Sequence, residues 1–147
     1  MKLLALIPFL LTSTLATPIE IEERDLTSTV SYDPKFDVAS NLMTTVACSD
    51  GVNGLIPKGY TTFGSLPSFP RIGGAPTIPG WNSPVCGTCY RLTYGTKSIY
   101  MIGIDAAPGG FNIATQAMNT LTNGQAVALG RVPVTYAAVD RKLCGFT

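Results

Sequence analysis

Aspartates are the main candidates for acid–base chemistry in this sequence. The 147 residues contain no histidine, and the three glutamates lie close together at Glu20, Glu22 and Glu23. A His-based triad, a His-ligated metal and a histidine general base are therefore excluded. From residue 30 onward the carboxylates are five aspartates, namely Asp33, Asp37, Asp50, Asp105 and Asp140.

Asp105 is the unusual member of this set, because it follows the largely apolar residues 100–104 and so should lie at the mouth of the core. It is either a ligand-binding carboxylate or a strand-end carboxylate bonded to the amides of the next turn. The other four have ordinary explanations as turn, cap or strand-end residues. An ordinary glycosidase needs two cooperating carboxyl groups. Since no partner for Asp105 can be identified, we expect no catalytic residues and no enzyme.

The four cysteines, Cys48, Cys86, Cys89 and Cys144, predict two disulfides in a secreted chain. Three pairings are open on spacing alone. A redox Cys86–Cys89 motif is disfavoured, because the strand-like Tyr-Arg-Leu-Thr-Tyr follows it where a helix would lower the thiol pKa. A four-cysteine zinc site is disfavoured because Cys48 and Cys144 are single. We expect no metal and no cofactor.

Aromatic residues among turns offer another kind of chemistry. Trp81 lies within Pro79-Gly80-Trp81-Asn82-Ser83-Pro84. It could form a flat face for a sugar ring or plug its loop onto the core, and we expect the plug. The same two interpretations apply to Tyr60 and Tyr90.

The N-terminus has the composition of a targeting signal and not of a folded element. Lys2, an apolar run over residues 3–11 and Thr14-Leu15-Ala16 predict a secretory signal peptide over residues 1–16. Residues 17–29 hold four of the nine acids and form either an acidic tail or a pro-segment. The domain should occupy residues 30–147. No other apolar run approaches the length of a membrane span.

Charge argues against a nucleic-acid partner. Charged residues make up 13% of the chain, about half of the usual share. From residue 30 onward eight Lys and Arg face five Asp, and the longest basic run is Arg141-Lys142. That is too little for binding a phosphate backbone.

The elements that must position these residues are mostly short strands. Alternating or apolar patterns predict strands over residues 30–32, 90–94, 98–104 and 132–139. A short helix is predicted over residues 38–43 with Asp37 at its start. A second helix should be capped by Asn112, run to about Leu121 and end at Asn123-Gly124. With a turn-rich stretch over residues 55–84, this predicts a small, mainly β barrel carrying short α-helices.

The motifs together resemble the cerato-platanin family. They begin with Val30-Ser31-Tyr32-Asp33 and Cys48-Ser49-Asp50-Gly51. The others are Leu66-Pro67-Ser68-Phe69-Pro70 with Ile72-Gly73-Gly74, Gly80-Trp81-Asn82-Ser83 before Cys86-Gly87-Thr88-Cys89, residues 105–113 (DAAPGGFNI), and Gly124-Gln125-Ala126. The resemblance extends in order from about residue 30 to residue 147. It does not explain the acidic segment.

The resemblance implies an expansin-like double-psi β-barrel with disulfides Cys48–Cys86 and Cys89–Cys144. It implies a secreted fungal protein of the cell wall that binds chitin or N-acetylglucosamine oligomers, loosens cellulosic material without clear hydrolysis and elicits plant defence. Implied partners are those oligomers, cellulose and a plant cell-surface receptor, with self-assembly at interfaces. The implied carbohydrate-binding residues are Asp105, Asn112, Thr88, Tyr90, Gly87 and Ala106. The alternatives are a weak wall-polysaccharide hydrolase, with Asp105 acting beside Asp50, and a surface-active structural protein.

Overall fold

The computed structural model describes residue 8 and residues 25–147. The expected signal peptide over residues 1–16, apart from Pro8, and residues 17–24 of the expected acidic tail lie outside the described residues. Within the described part of the chain, every helix is too short or too polar to cross a membrane.

In that part of the chain, six strands close into a barrel with the order β1-β5-β2-β4-β3-β6. The pairs β1/β5 and β2/β4 are parallel, and the other pairs are antiparallel. This confirms the predicted fold class, a mainly β double-psi barrel with short helices. The strands are β1 (Leu26–Tyr32), β2 (Ile72–Ala75), β3 (Cys89–Tyr94), β4 (Lys97–Ala106), β5 (Phe111–Ile113) and β6 (Arg131–Val139).

Two α-helices pack against strands of the barrel and against each other. The α-helices of the described residues are α1 (Thr115–Thr122) and α2 (Ala126–Leu129). In α1 the side chains of Ala117, Met118 and Leu121 are buried, as the apolar spacing of this segment predicts. Short 3₁₀ helices lie at Pro34–Asp37, Met43–Thr45, Ile56–Lys58, Phe63–Ser65 and Arg141–Cys144.

The core consists of side chains that point into the barrel. Tyr90, Phe111 and Tyr136 form an edge-to-face aromatic cluster, with ring centroids 5.3 Å apart for Tyr90–Phe111 and 4.9 Å apart for Phe111–Tyr136. Leu92 and Ile104 are fully buried around them. The barrel is therefore filled by packed side chains, and ligands must bind on its outside or at its ends.

The strands extend beyond the predicted limits. The predicted first strand starts at Leu26 instead of residue 30, because its backbone pairs with β6 from Leu26, opposite Tyr136, to Ser31. The domain boundary expected at residue 30 therefore falls inside β1. The strands β2 and β5 were not predicted, since four and three residues are too few to show an alternating pattern.

The helix predicted over residues 38–43 is wrong. One 3₁₀ helix ends at Asp37 and the next begins at Met43, while Leu42 forms a β-bridge with Thr62 and the Met43 amide donates to the Thr61 carbonyl at 2.9 Å. These backbone groups bond to another loop and so are unavailable for helical bonds.

The predicted helix cap at Asn112 is also wrong, because Asn112 lies in β5 between Ser31 of β1 and Gly74 of β2. The Asp37 carboxylate caps α1 instead. Its oxygens accept from the amides of Thr115 at 3.1 Å and Gln116 at 2.9 Å. The predicted end of the helix is confirmed, since Asn123 takes up the left-handed conformation with φ 55°.

One disulfide joins two loops, and the other joins the start of β3 to the 3₁₀ helix Arg141–Cys144. They are Cys48–Cys86 and Cys89–Cys144, as the resemblance implies, and they use all four cysteines. They span sequence separations of 38 and 55 residues. In the chain-entropy picture each contributes about 4 kcal/mol to the free energy of unfolding. The dithiol and zinc interpretations do not apply to cysteines that are paired in this way.

We predict that Asp37→Ala lowers the free energy of unfolding by about 1–2 kcal/mol, because the first turn of α1 loses its only side-chain cap among the described residues. Urea denaturation would measure the change. Asp37→Asn keeps one of the two acceptor oxygens and should lose less stability than Asp37→Ala. Equal losses in the two variants would show that the cap is not the reason.

Candidate functional site

A shallow cleft lies where β1, β5 and β6 meet the loop after β4. Its volume is about 250 Å³, and it contains two of the predicted sugar-binding residues, Ala106 and Asn112. Its lining residues are Ser31, Ala106, Ala107, Gly109, Gly110, Asn112 and Arg131. We call it the Asn112 cleft.

A chain of hydrogen bonds fixes the side-chain amide in this cleft. The Arg131 guanidinium donates from Nη1 to Thr29 Oγ1 at 2.7 Å and from Nη2 to Ser31 Oγ at 3.2 Å. Arginine can only donate, so Ser31 Oγ accepts there and uses its own hydrogen elsewhere. The Ser31 hydroxyl has two acceptors within reach, the Phe111 carbonyl at 3.5 Å and Asn112 Oδ1 at 3.1 Å, and it donates to the nearer one, Asn112 Oδ1.

The direction of these bonds decides which end of the Asn112 amide is left for a ligand. Because Oδ1 faces Ser31, the Nδ2 group carries two N–H donors on the other side of the amide. Among residues 25–147, no protein group accepts a hydrogen bond from Asn112 Nδ2. The cleft therefore presents an oriented, unused donor.

Asp105 lies near the end of β4 and is tied into the protein. Its Oδ1 accepts from the amides of Ala47 at 3.0 Å and Ala106 at 2.9 Å, and its Oδ2 pairs with Lys35 Nζ at 3.3 Å. Its side chain is 20% exposed. Both predicted interpretations keep support, since the amide contacts are those of a strand-end carboxylate while Oδ2 remains near the surface.

Gly87 and Thr88 lie in a different cleft. It has a volume of about 500 Å³ and includes Lys58, Arg141 and Phe146, and it shares no lining residue with the Asn112 cleft. On β4, Asp105 lies between Gly103, whose backbone bonds to residues 87 and 88, and Ala106 of the Asn112 cleft. The predicted site residues therefore lie in two neighbouring surfaces and not in one groove.

Tyr90 does not belong to either surface. It is 2% exposed and packs in the aromatic cluster of the core, with its hydroxyl bonded to the Thr77 hydroxyl. Burial raises the pKa of the Tyr90 phenol above its ordinary value, because the phenolate would lose its hydration. The prediction that Tyr90 contacts sugar is corrected, since the side chain has almost no accessible surface.

Ser31 and Arg131 are site residues that no sequence pattern predicts. Ser31 belongs to a recognised motif, but its spacing gives no sign that it contacts Asn112, which lies 81 positions away. Arg131 follows Gly130 at the start of β6 and belongs to no motif. Only the pairing of β1 with both β5 and β6 brings the three together.

Trp81 does not plug its loop onto the core as predicted. It is 63% exposed, and its indole Nε1 donates to Asp50 Oδ1 at 2.8 Å. This hydrogen bond, with smaller contributions from the Asp50 backbone and the Ser49 hydroxyl, lowers the pKa of the Asp50 carboxyl. The indole therefore serves a purpose other than core packing.

The two aspartates considered for a hydrolase are held separately. Asp50 bonds to Trp81 and Ser49, whereas Asp105 bonds to Ala47, Ala106 and Lys35, and they have no partner in common. Within the described residues, no group of three or more Cys, Asp or Glu side chains could hold a metal ion.

Comparison with known proteins identifies close relatives. A family model described as Cerato-platanin matches residues 28–146. Allergen Asp f 15 of Aspergillus fumigatus is 58% identical over 143 residues, which are 96% of this chain and 93% of that protein.

Solved structures agree with the fold. The crystal structure of cerato-platanin 3 from M. perniciosa has a TM-score of 0.79 and 50% identity, and the match covers 82% of this chain and all of that chain. The solution structure of the fungal elicitor Cerato-Platanin has a TM-score of 0.71 and 43% identity, covering 79% of this chain and 95% of that one.

We predict that the fluorescence of Trp81, the only tryptophan of the sequence, changes below pH 3.8, the ordinary pKa of the Asp50 carboxyl. The pKa of Asp50 is lowered, so its bond to the indole is complete above that pH and is lost as the pH falls through the lower value. An acid titration of the emission would measure the midpoint. Asp50→Asn should remove the transition, and a midpoint at or above 3.8 would contradict the assignment.

Proposed function

The chain belongs to the cerato-platanin family, and we propose that it is a secreted fungal protein that binds N-acetylglucosamine oligomers of chitin, and cellulose, without cutting them. Binding at the wall loosens contacts between polysaccharide chains and exposes the protein to recognition by plants. The oriented Asn112 amide is the observation that carries this proposal.

The Asn112 cleft offers what a sugar needs. Hydroxyl, ring and acetamide oxygens of N-acetylglucosamine accept hydrogen bonds, and Asn112 Nδ2 is a donor without a partner among the described residues. Because Ser31 and Arg131 already fix the amide, a ligand need not restrict its rotation on binding. Such pre-organised polar groups give orientation and specificity in small-molecule sites.

Asp105 extends this site along the surface. Its Oδ2 is paired with Lys35, whose side chain is 44% exposed, so the pair can open toward a sugar hydroxyl. An ionised carboxylate accepts a charge-assisted hydrogen bond from such a hydroxyl. Ala106, next to Asp105, lines the Asn112 cleft and joins the two positions.

The arrangement favours binding over hydrolysis. A glycosidase places one carboxyl on each side of the scissile bond. In this protein the Asp105 Oδ1 atom is occupied by two backbone amides, and Asp50 is engaged by the Trp81 indole. Each carboxylate therefore has a role in positioning other groups.

Secretion and elicitation are supported by separate observations. Two disulfides that use every cysteine suit an oxidising compartment, and the predicted signal peptide would direct the chain there. The solved relative at 43% identity is described as a fungal elicitor. We infer the same role for this chain, with a plant cell-surface receptor as partner.

We predict that Asn112→Asp weakens binding of the N-acetylglucosamine hexamer by about tenfold, because it replaces the free donor with an acceptor of the same shape. Asp105→Ala should also weaken binding without unfolding the domain. Titration calorimetry measures both. Gln125→Glu makes the same change of charge on an exposed amide outside the cleft and should bind normally. Unchanged affinity in Asn112→Asp would remove the cleft from the site.

We also predict that incubation with chitin or cellulose releases no soluble reducing ends at enzymatic rates, because the Asp105 Oδ1 atom accepts from two backbone amides and Asp50 is bonded to the Trp81 indole. A reducing-end assay over several protein concentrations tests this. Release that depends on protein concentration and disappears in Asp105→Ala would establish a hydrolase instead.

A further inference from the structure

The surface around Trp81 is unexplained by the proposed sugar site. Neither of the two clefts described above contains Trp81 or Asp50. Yet two of the sequence motifs, Cys48-Ser49-Asp50-Gly51 and Gly80-Trp81-Asn82-Ser83, meet at this place. We call the pair Trp81 and Asp50, with the two loops that carry them, the indole platform.

The loops of the platform are joined by several contacts. The Cys48–Cys86 disulfide ties the chain beside them. The Asn53 amide donates to Asn82 Oδ1 at 2.9 Å, and Asn53 Nδ2 donates to the Asn82 carbonyl at 3.0 Å. The platform is therefore held by one covalent link and two hydrogen bonds besides the bond between Trp81 and Asp50.

The backbone conformation around Trp81 also indicates that the loop holds the ring rigidly. Asn82 has φ 59°, a left-handed conformation that few residues other than glycine and asparagine adopt. Gly51 packs directly against it, and a Cβ at position 51 would lie 2.4 Å from Asn82 Oδ1. The two loops thus approach each other as closely as a glycine permits.

The indole ring is held in one orientation, but its face has no stacking partner among the described residues. Its one polar group, Nε1, bonds to Asp50, which limits rotation of the ring. Among the described residues, no other aromatic ring and no cation stacks on it. A tryptophan that is 63% exposed and held in one orientation offers an apolar face to a ligand.

The groups beside the ring favour a sugar as the occupant. Ser49 and Trp81 both donate to Asp50 Oδ1, and no described side chain donates to Oδ2. An acceptor carboxylate oxygen thus lies at the edge of an apolar ring. A pyranoside ring has an apolar C–H face and hydroxyls at its edge, which is the complementary pattern. A protein hot spot would instead need a surrounding that excludes water, whereas this ring is bordered by Asp50, Asn53 and Asn82.

We propose that Trp81 and Asp50 form a second carbohydrate-binding site, in which a pyranoside ring of a β-linked polysaccharide stacks on the indole and one of its hydroxyls donates to Asp50 Oδ2. The site is independent of the Asn112 cleft, so either can fail without the other. Chitin and cellulose both supply the required ring, and the test separates them.

The fluorescence of the single tryptophan reports directly on this site. Titration with the N-acetylglucosamine hexamer and, separately, with cellohexaose should give a saturable change in emission for at least one. The response should persist in Asn112→Asp, which removes only the other site. If neither oligomer changes the emission while calorimetry still detects binding, the second site is overturned and the Asn112 cleft stands.

Variants test which atoms act. Trp81→Ala should lower binding to insoluble chitin or cellulose about three- to tenfold, the value of one aromatic contact. Asp50→Ala should weaken binding and alter the emission, whereas Asp50→Asn keeps an acceptor for the indole and should retain most of the emission, but it replaces the Oδ2 acceptor with a donor and should weaken binding. Val127→Ala removes an equally exposed apolar side chain from α2 and is the matched control.

Two results would contradict the proposal. One is that Trp81→Ala binds polysaccharide as well as Val127→Ala, with both variants shown to be folded by circular dichroism. The other is that the emission follows protein concentration instead of sugar concentration, with sedimentation showing dimers that Trp81→Ala abolishes. In that case a second copy of the chain occupies the platform.

Discussion

Closure of the barrel depends on a strand of only four residues, β2, which lies between β4 and β5. Its middle must be glycine, because a Cβ on Gly73 would lie 2.3 Å from the Asn112 carbonyl and one on Gly74 would lie 2.8 Å from Ala107 Cβ. Gly74 pairs with Asp105 on one side and with Asn112 on the other. The close packing of β2 between β4 and β5 therefore also places the two proposed sugar-binding residues, Asp105 and Asn112, at the same height along the strands.

The two proposed binding surfaces are organised around hydrogen bonds that have a direction. Arg131 can only donate, so Ser31 and then Asn112 are oriented in turn, and the free donor faces the cleft. At the indole platform the group that faces a ligand is an acceptor instead. The Trp81 indole can only donate, and it bonds to the Asp50 carboxylate, which can only accept. One surface thus presents a donor and the other an acceptor beside an aromatic ring, and a long polysaccharide offers partners for both.

The few aspartates of the domain have structural roles. Asp33 caps a 3₁₀ turn by accepting from the Lys35 amide, Asp37 caps α1, and Asp140 accepts from the Lys142 amide. Asp50 orients the indole. Each of these carboxylates accepts hydrogen bonds that fix other groups.

The mainly β architecture, the longer strands, the two disulfides and the end of α1 could be predicted from the sequence alone, because these follow from composition and local patterns. The disulfide pairing and the fold came from the family resemblance and not from spacing. The tertiary structure alone decided that Tyr90 is buried, that Trp81 is exposed, that Asp37 caps a helix 78 positions away, and that Arg131 and Ser31 orient Asn112. Contacts between residues so distant in sequence depend on which strands pair and in what register, and no local pattern encodes that.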